Sequence, residues 1–302
     1  MRRVLTVAPT LDDRAFDALV REAALVGAGA AAAPSAGVIV DARHVRWADP
    51  FGMTSLLSLG QHLGATGGRP VLQLPEAPDV VSYLGRMGFL RHAERIFELH
   101  GAARSRRAAG ASNVLLEITP IQSHEDVHGV IEQVRERAGT ILTEQLGYTG
   151  ADAARFSMVL SEVCQNIIEH AEAGGWVGIQ TYNWARRLGR QVVMIAVTDL
   201  GVGFRGSLAR EHAARFGDRW SDATALEAAF IHGITRFRDP GRGQGIKQIR
   251  KSVRRWGGKV AIRSGTARIA DIPEWDDAPP MEQDLAPFPG SQILIAVPAR
   301  EP

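Results

Sequence analysis

Two blocks of alternating β-type runs and helical patterns, separated by a short basic stretch, constrain this chain more than anything else in it. Residues 4–7, 38–41 and 70–74 are short runs rich in β-branched residues and Leu. Around them, residues 12–26, 53–63 and 78–97 read as helices; the first carries Phe16, Leu19, Val20 and Ala23 at helical spacing. Residues 27–37, rich in Gly and Ala, read as a loose connection. This alternation predicts an α/β unit, a helix-backed sheet, over residues 1–103. The stretch Arg104-Ser105-Arg106-Arg107-Ala108-Ala109-Gly110-Ala111-Ser112, residues 104–112, predicts an interdomain linker. A second α/β (α+β) unit follows over residues 113–302. It has a predicted strand at 113–119, helices at 123–146 and 151–171, and a hairpin of 177–182 with 192–198 that turns near Leu188-Gly189. A helix at 246–256 and strands at 259–263 and 292–297 complete it. Residues 274–289, dense in Pro, Asp and Glu, read as a solvated excursion between strands. A chain of 302 residues accommodates both units.

Charge narrows the partners. Lys+Arg 35 against Asp+Glu 33 leaves a formal charge of +2, a field too weak to demand nucleic acid or an anionic membrane. The apolar run after Met1-Arg2-Arg3 is broken by Asp12, Asp13 and Arg14, which argues against a secretory signal, and no stretch is long and apolar enough to span a bilayer. The one cysteine, Cys164, permits no intramolecular disulfide. Together these features predict a cytoplasmic protein.

Three segments carry chemistry. In Ser161-Glu162-Val163-Cys164-Gln165-Asn166-Ile167-Ile168-Glu169-His170, a helix places Glu162, Asn166 and His170 on one polar stripe and turns Val163, Ile167 and Ile168 toward a core. A carboxamide can bind a hard cation such as Mg²⁺, while a carboxylate one turn away can deprotonate an attacking hydroxyl or water. The strand 192–198 ends in Asp199-Leu200-Gly201-Val202-Gly203-Phe204. There a carboxylate can accept from an exocyclic amine, and glycines let a flat base approach the backbone. In Asp239-Pro240-Gly241-Arg242-Gly243-Gln244-Gly245-Ile246-Lys247, alternate glycines lead into a helix. Backbone amides and the positive end of a helix dipole suit a polyphosphate there.

In this order and spacing the three segments resemble the GHKL ATPases, the group of gyrase, heat-shock chaperone, histidine kinase and mismatch-repair ATPase domains. Glu162 and Asn166 match the N box; Asp199, Gly201 and Gly203 match the adenine-binding motif; Gly241, Gly243 and Gly245 match the glycine-rich end of the lid. Pro289-Gly290-Ser291-Gln292 is similar to the family's final Gly-Thr element, with Ser291 for Thr. The resemblance implies a Bergerat α/β sandwich binding ATP and Mg²⁺. Asn166 would hold the Mg²⁺ and Glu162 would be the catalytic base. His170, Asp199, Gly201, Gly203, Thr235, Gly241, Gly243, Gly245, Lys247 and Ser291 would join Asn166 around the nucleotide, with residues 204–240 as a mobile lid. Ser161 to His170 looks most like the anti-sigma-factor serine kinases, which implies a protein serine kinase or slow ATPase and allows a homodimer.

Residues 3–100 resemble the STAS domain of anti-sigma-factor antagonists, through Val38-Ile39-Val40-Asp41 and Trp47-Ala48-Asp49-Pro50-Phe51-Gly52-Met53. This implies a regulatory protein partner of STAS or sigma-factor type. In that family an Asp-Ser-Ser-Gly turn carries the phosphorylated serine; here Pro50 and Phe51 replace both serines, with Thr54, Ser55 and Ser58 just beyond. The missing hydroxyl favours an alternative, a non-catalytic module that responds to ATP, while the presence of Glu162 favours catalysis.

Two further signals have simpler readings. His124-Glu125-Asp126-Val127-His128 fits the H-E-x-x-H zinc pattern, but it follows Ser123, a good N-cap, and its acids suit the first turn of any helix. Lys247, Arg250, Lys251, Arg254 and Arg255 form a basic stripe opposite Ile246, Ile249, Val253 and Trp256. It reads as a surface face or a contact for nucleic acid or an acidic partner.

Overall fold

The computed structural model describes residues 3–28, 37–101, 114–168, 174–184, 188–235 and 245–300. The linker stretch 104–112 lies outside them, as do His170, Gly241 and Gly243. The first half forms a parallel sheet in the order β1, β3, β5, β6: β1 is Arg3–Thr6, β3 Val38–Asp41, β5 Val71–Gln73 and β6 Glu98–His100. A second parallel pair joins β2 (Thr10–Leu11) to β4 (Trp47–Ala48). Helices α1 (Asp13–Ala28), α2 (Pro50–Gly67), α3 (Pro78–Arg86) and α4 (Phe89–Ile96) accompany these strands. The single helix expected over 78–97 is therefore two, broken at Met87-Gly88.

The second half is a seven-stranded antiparallel sheet in the order β12, β11, β10, β13, β9, β8, β7. Its strands are β7 (Val114–Ile121), β8 (Gly175–Trp184), β9 (Arg190–Asp199), β10 (Lys259–Gly265), β11 (Ala267–Asp271), β12 (Met281–Glu282) and β13 (Phe288–Pro298). Its helices are α5 (His124–Thr140), α6 (Gly150–Asn166), α7 (Gly203–Phe216), α8 (Asp222–Phe230) and α9 (Gly245–Arg255). A π-helical turn, Ile141–Gln145, ends α5 where a continuous α-helix was expected. Among the described residues no helix is long and apolar enough to cross a membrane.

Strand alternation assigns the faces of this sheet. Val193, Ile195 and Val197 of β9, with Ile293, Ile295 and Val297 of β13, share a core with Val127 and Val130 of α5, Phe156 and Leu160 of α6, and Ile249 and Val253 of α9. Their neighbours Val192, Met194, Ala196, Leu294 and Ala296 point the other way and join the core of the first half. That second face is covered by α2, which contacts β8, β9 and β13. The face is shallow: Ala196, Ala261 and Ala296 line it, and a Cβ on Gly178 would stand 3.5 Å from Pro50. The far side of α2 is also apolar, with Met53 and Leu56 meeting Leu72 of β5 and Leu74 just beyond it around one small cavity. A helix buried on every side carries no charged face, as α2 illustrates from Phe51 to Gly60.

More contacts join the halves. Phe16 of α1 meets the Phe288 ring edge-on at 5.1 Å, and Asp17 Oδ1 accepts from Arg263 Nε at 2.7 Å. Burying side chains such as Phe16 and Phe288 stabilises the fold by about 1.5–3 kcal/mol each. The excursion expected to be solvated is therefore partly packed: Leu285 and Phe288 are buried, and Asp276 lies 3.2 Å from the buried Lys259, while Asp277, 2.6 Å from Arg14, stays exposed. Its acids face cations from other segments, and its apolar end enters the core.

Candidate functional site

Thr149 caps α6, its Oγ1 accepting from Asp152 N at 3.2 Å. The helix then buries Phe156, Leu160, Val163 and Cys164 against the sheet, which sets Glu162 and Asn166 one turn apart on the side facing a cleft. The Asn166 Nδ2 atom is buried without a hydrogen-bond partner. An orphaned buried N–H costs stability unless an acceptor meets it, so this atom suits a phosphate oxygen. Burial pushes the Cys164 thiol up, which makes that side chain packing rather than nucleophile.

Opposite α6, β9 ends at Asp199, which is 7% exposed. Its Oδ1 accepts from Gly201 N at 2.8 Å, and Ser291 N gives it a second hydrogen bond. Burial raises its pKa to about 6 against the lowering effect of these two amides. The backbone around it is tightly clasped. Gly290, at φ 75°, would bring a Cβ within 2.1 Å of the Asp199 carbonyl oxygen, and Gly203, at φ 64°, would bring one within 2.6 Å of Ser264 Oγ. Both the left-handed backbone and the space require glycine. Ser264 ties the loops together, donating to Gly290 O at 2.8 Å and accepting from Phe204 N at 3.1 Å.

These parts enclose a cleft of about 850 Å³, its open mouth included. Glu162, Asn166, Asp199, Gly203, Thr235, Gly245 and Ser291 all line it. Gly245 opens α9 directly against Glu162, where a Cβ would stand 2.4 Å from Oε2. Gly201 stands behind Asp199 through its amide rather than among the lining residues. Lys247 is exposed and also outside the lining, with its Cδ 3.6 Å from where a Cβ on Gly233 would be.

Sequence reasoning had not singled out Gln165, Phe204, Ser207, Leu208 and Ile234 in the lining, or Ser264 as the clasp. The signal for Phe204 and Ser207 was present, since a helix begun at Gly203 turns both toward Asp199. The described part of the expected lid, residues 204–235, is packed at two places, and residues 209–224 between them are half-buried or exposed. Leu208 of α7 and Leu226 and Phe230 of α8 are buried, and His212 Nε2 donates to Thr235 O at 2.7 Å. At the other resemblance, Asp49 caps α2 by accepting from Gly52 N at 2.7 Å, and Thr54, Ser55 and Ser58 are wholly buried, Ser58 Oγ lying 3.2 Å from Thr198 Oγ1. His124 and His128 are exposed at the start of α5, where Asp126 accepts from Ser123 N and Gln122 N as a cap. Among the described residues no group of three or more His, Cys, Asp or Glu side chains stands close enough to hold a metal ion.

Residues 151–277 match the family described as "Histidine kinase-, DNA gyrase B-, and HSP90-like ATPase". No curated protein matches the chain. Among solved structures, it is similar to the histidine kinase domain from Erythrobacter litoralis EL346 blue-light activated histidine kinase, at 13% identity and a TM-score of 0.24, covering 57% of this chain and 61% of that one. It is also similar to the mycobacterial sensor histidine kinase MprB, at 18% identity and a TM-score of 0.27, covering 61% of this chain and 99% of that one.

Proposed function

We propose that the second half, whose residues 151–277 match the histidine kinase-, DNA gyrase B- and HSP90-like ATPase family, binds Mg-ATP and transfers its γ-phosphoryl group to a hydroxyl of a protein partner. In this reading residues 113–302 are the ATP-binding unit, 104–112 the linker and 1–103 a STAS-like regulatory unit. The observation that supports it is the convergence of Glu162, Asn166, Asp199, Gly245 and Ser291, from four separated segments, on one cleft.

Asp199 accepts the adenine amine, held in place by Gly201 N and Ser291 N. The start of α9 at Gly245 offers its amides to the phosphates. Asn166 would hold Mg²⁺, which when bound neutralises phosphate charge. Glu162 takes the proton of the attacking hydroxyl as its oxygen bonds the γ-phosphorus, and the bond from that phosphorus to the β–γ bridging oxygen breaks, releasing ADP. A serine kinase of anti-sigma type and a slow ATPase share these groups, differing in whether a side-chain hydroxyl or water attacks.

Titration calorimetry with ADP and Mg²⁺ tests the reading. Asp199→Asn is expected to weaken binding by about tenfold or more, the scale of a lost buried charge-assisted hydrogen bond. Glu162→Ala is expected to keep the nucleotide while lowering turnover by about 10²–10⁴-fold. Equal, negligible affinity in wild type and Asp199→Asn removes the proposal. A second reading, an ATP-responsive module without turnover, is favoured by the absence of a hydroxyl at Pro50-Phe51 and the burial of Thr54, Ser55 and Ser58. Binding without turnover in either wild type or Glu162→Ala selects it.

A further inference from the structure

We propose that the outer face of α9 is a docking surface for an acidic protein segment, held beside the mouth of the cleft that carries Glu162. Helix α9 buries Gly245, Ile249 and Val253, and exposes Lys247, Lys251 and Arg254 on the opposite side, four and then three residues apart. None of these three cations has an ion-pair partner among the described residues. Arg250, on the inward side of the same helix, is a contrast. It donates to both oxygens of Asp271 at 2.8 Å and lies 4.0 Å from the Phe230 ring centroid.

Helix stability explains Arg254, which lies in the last turn where cations are favoured, but not the stripe as a whole: Lys247 sits in the first turn, where a cation is disfavoured, and like charges at these spacings repel. A stripe that costs the helix something calls for a ligand that repays it. Its position fits one: α9 starts against Glu162, runs back along α6, and ends where Trp256 Nε1 donates to Asp152 Oδ1 at 3.3 Å.

The stripe spans about 10 Å of helix, at roughly 1.5 Å per residue. A formal charge of +2 on the whole chain and three outward cations suit a few carboxylates better than a polynucleotide, whose binding draws on many phosphate contacts. The purpose of the surface, to bring an acceptor hydroxyl to Glu162, rests on the phosphoryl-transfer reading. Docking itself is measurable without nucleotide.

The test uses the full chain and fluorescence anisotropy. The probes are a fluorescein-labelled peptide with one Ser among Glu and Asp residues, its counterpart with Lys and Arg, and a short duplex DNA as competitor; ADP affinity is measured on the same samples. The acidic peptide is expected to bind, more weakly as salt rises, and the basic one not. The double variant Lys251→Glu with Arg254→Glu is expected to lose about tenfold or more in peptide affinity while ADP affinity and thermal melting hold. Lys251→Gln with Arg254→Gln, a milder change, is expected to lose an intermediate amount. Unchanged acidic-peptide affinity in either double variant, equal binding of the basic peptide, or displacement by DNA at lower concentration than by unlabelled acidic peptide overturns the proposal. Acidic-peptide binding lost in the variants, from a protein that binds no ADP, upholds the docking surface and removes the ATP reading instead.

Discussion

Asp199 does two things that pull against each other. To accept an amine it must be ionised, yet its burial raises its pKa to about 6. A carboxyl whose folded pKa lies above its unfolded value favours the protonated folded state. In the ligand-free protein this group's contribution to stability is therefore full below its unfolded pKa, near 3.8, and is lost as pH rises through about 6. Nucleotide binding has the opposite sign. Affinity for ADP is expected to hold above pH 7 and to fall as pH drops through about 6, whereas Asp199→Asn is expected to bind weakly with a flatter profile; calorimetry across that range checks both. The residue was legible in the sequence because strand, carboxylate and glycines are contiguous. Its clasp was legible in part: Gly290 belongs to the Pro289-Gly290-Ser291-Gln292 element, whereas no local pattern marks Ser264, a serine from a remote strand whose role is to bridge Gly290 O and Phe204 N.

At the scale of elements, the long segment after Asp199 is the instructive case. The family resemblance implies that residues 204–240 are a mobile lid. Helix α8 within it nonetheless buries Ala225, Leu226, Ala228, Ala229 and Phe230 against the end of the sheet. Phe230→Ala is expected to cost about 3–5 kcal/mol in a urea melt, the range for emptying a packed phenylalanine site; a loose flap would leave the melt unchanged. Residues 274–289, whose composition predicts a solvated excursion, are a different case. Acid and proline density signals solvent only when no buried cation from elsewhere meets it, and Lys259 does. By contrast, the β8–β9 hairpin and α9 were legible from sequence because their periodicity and turn chemistry are local.

The whole molecule is built on a seam that neither half reveals alone. Arg263 is 2% exposed and meets Asp17 of α1, which also lies 2.7 Å from Arg268. Asp17→Ala strands a buried guanidinium and is expected to destabilise the full chain by about 3–5 kcal/mol, read as a lower denaturant midpoint. The uncharged run from Pro50 to Gly60 was the legible trace of this arrangement, since only a helix enclosed on all sides dispenses with a charged face. The seam also passes directly beneath the cleft: on β9, Thr198 touches Ser58 of α2 while its neighbour Asp199 faces the other way. A gene trimmed to its latter portion would therefore lay bare Val192, Met194 and Leu294 as a greasy underside, and sticky, precipitating material from such a fragment would say nothing about the pocket above it.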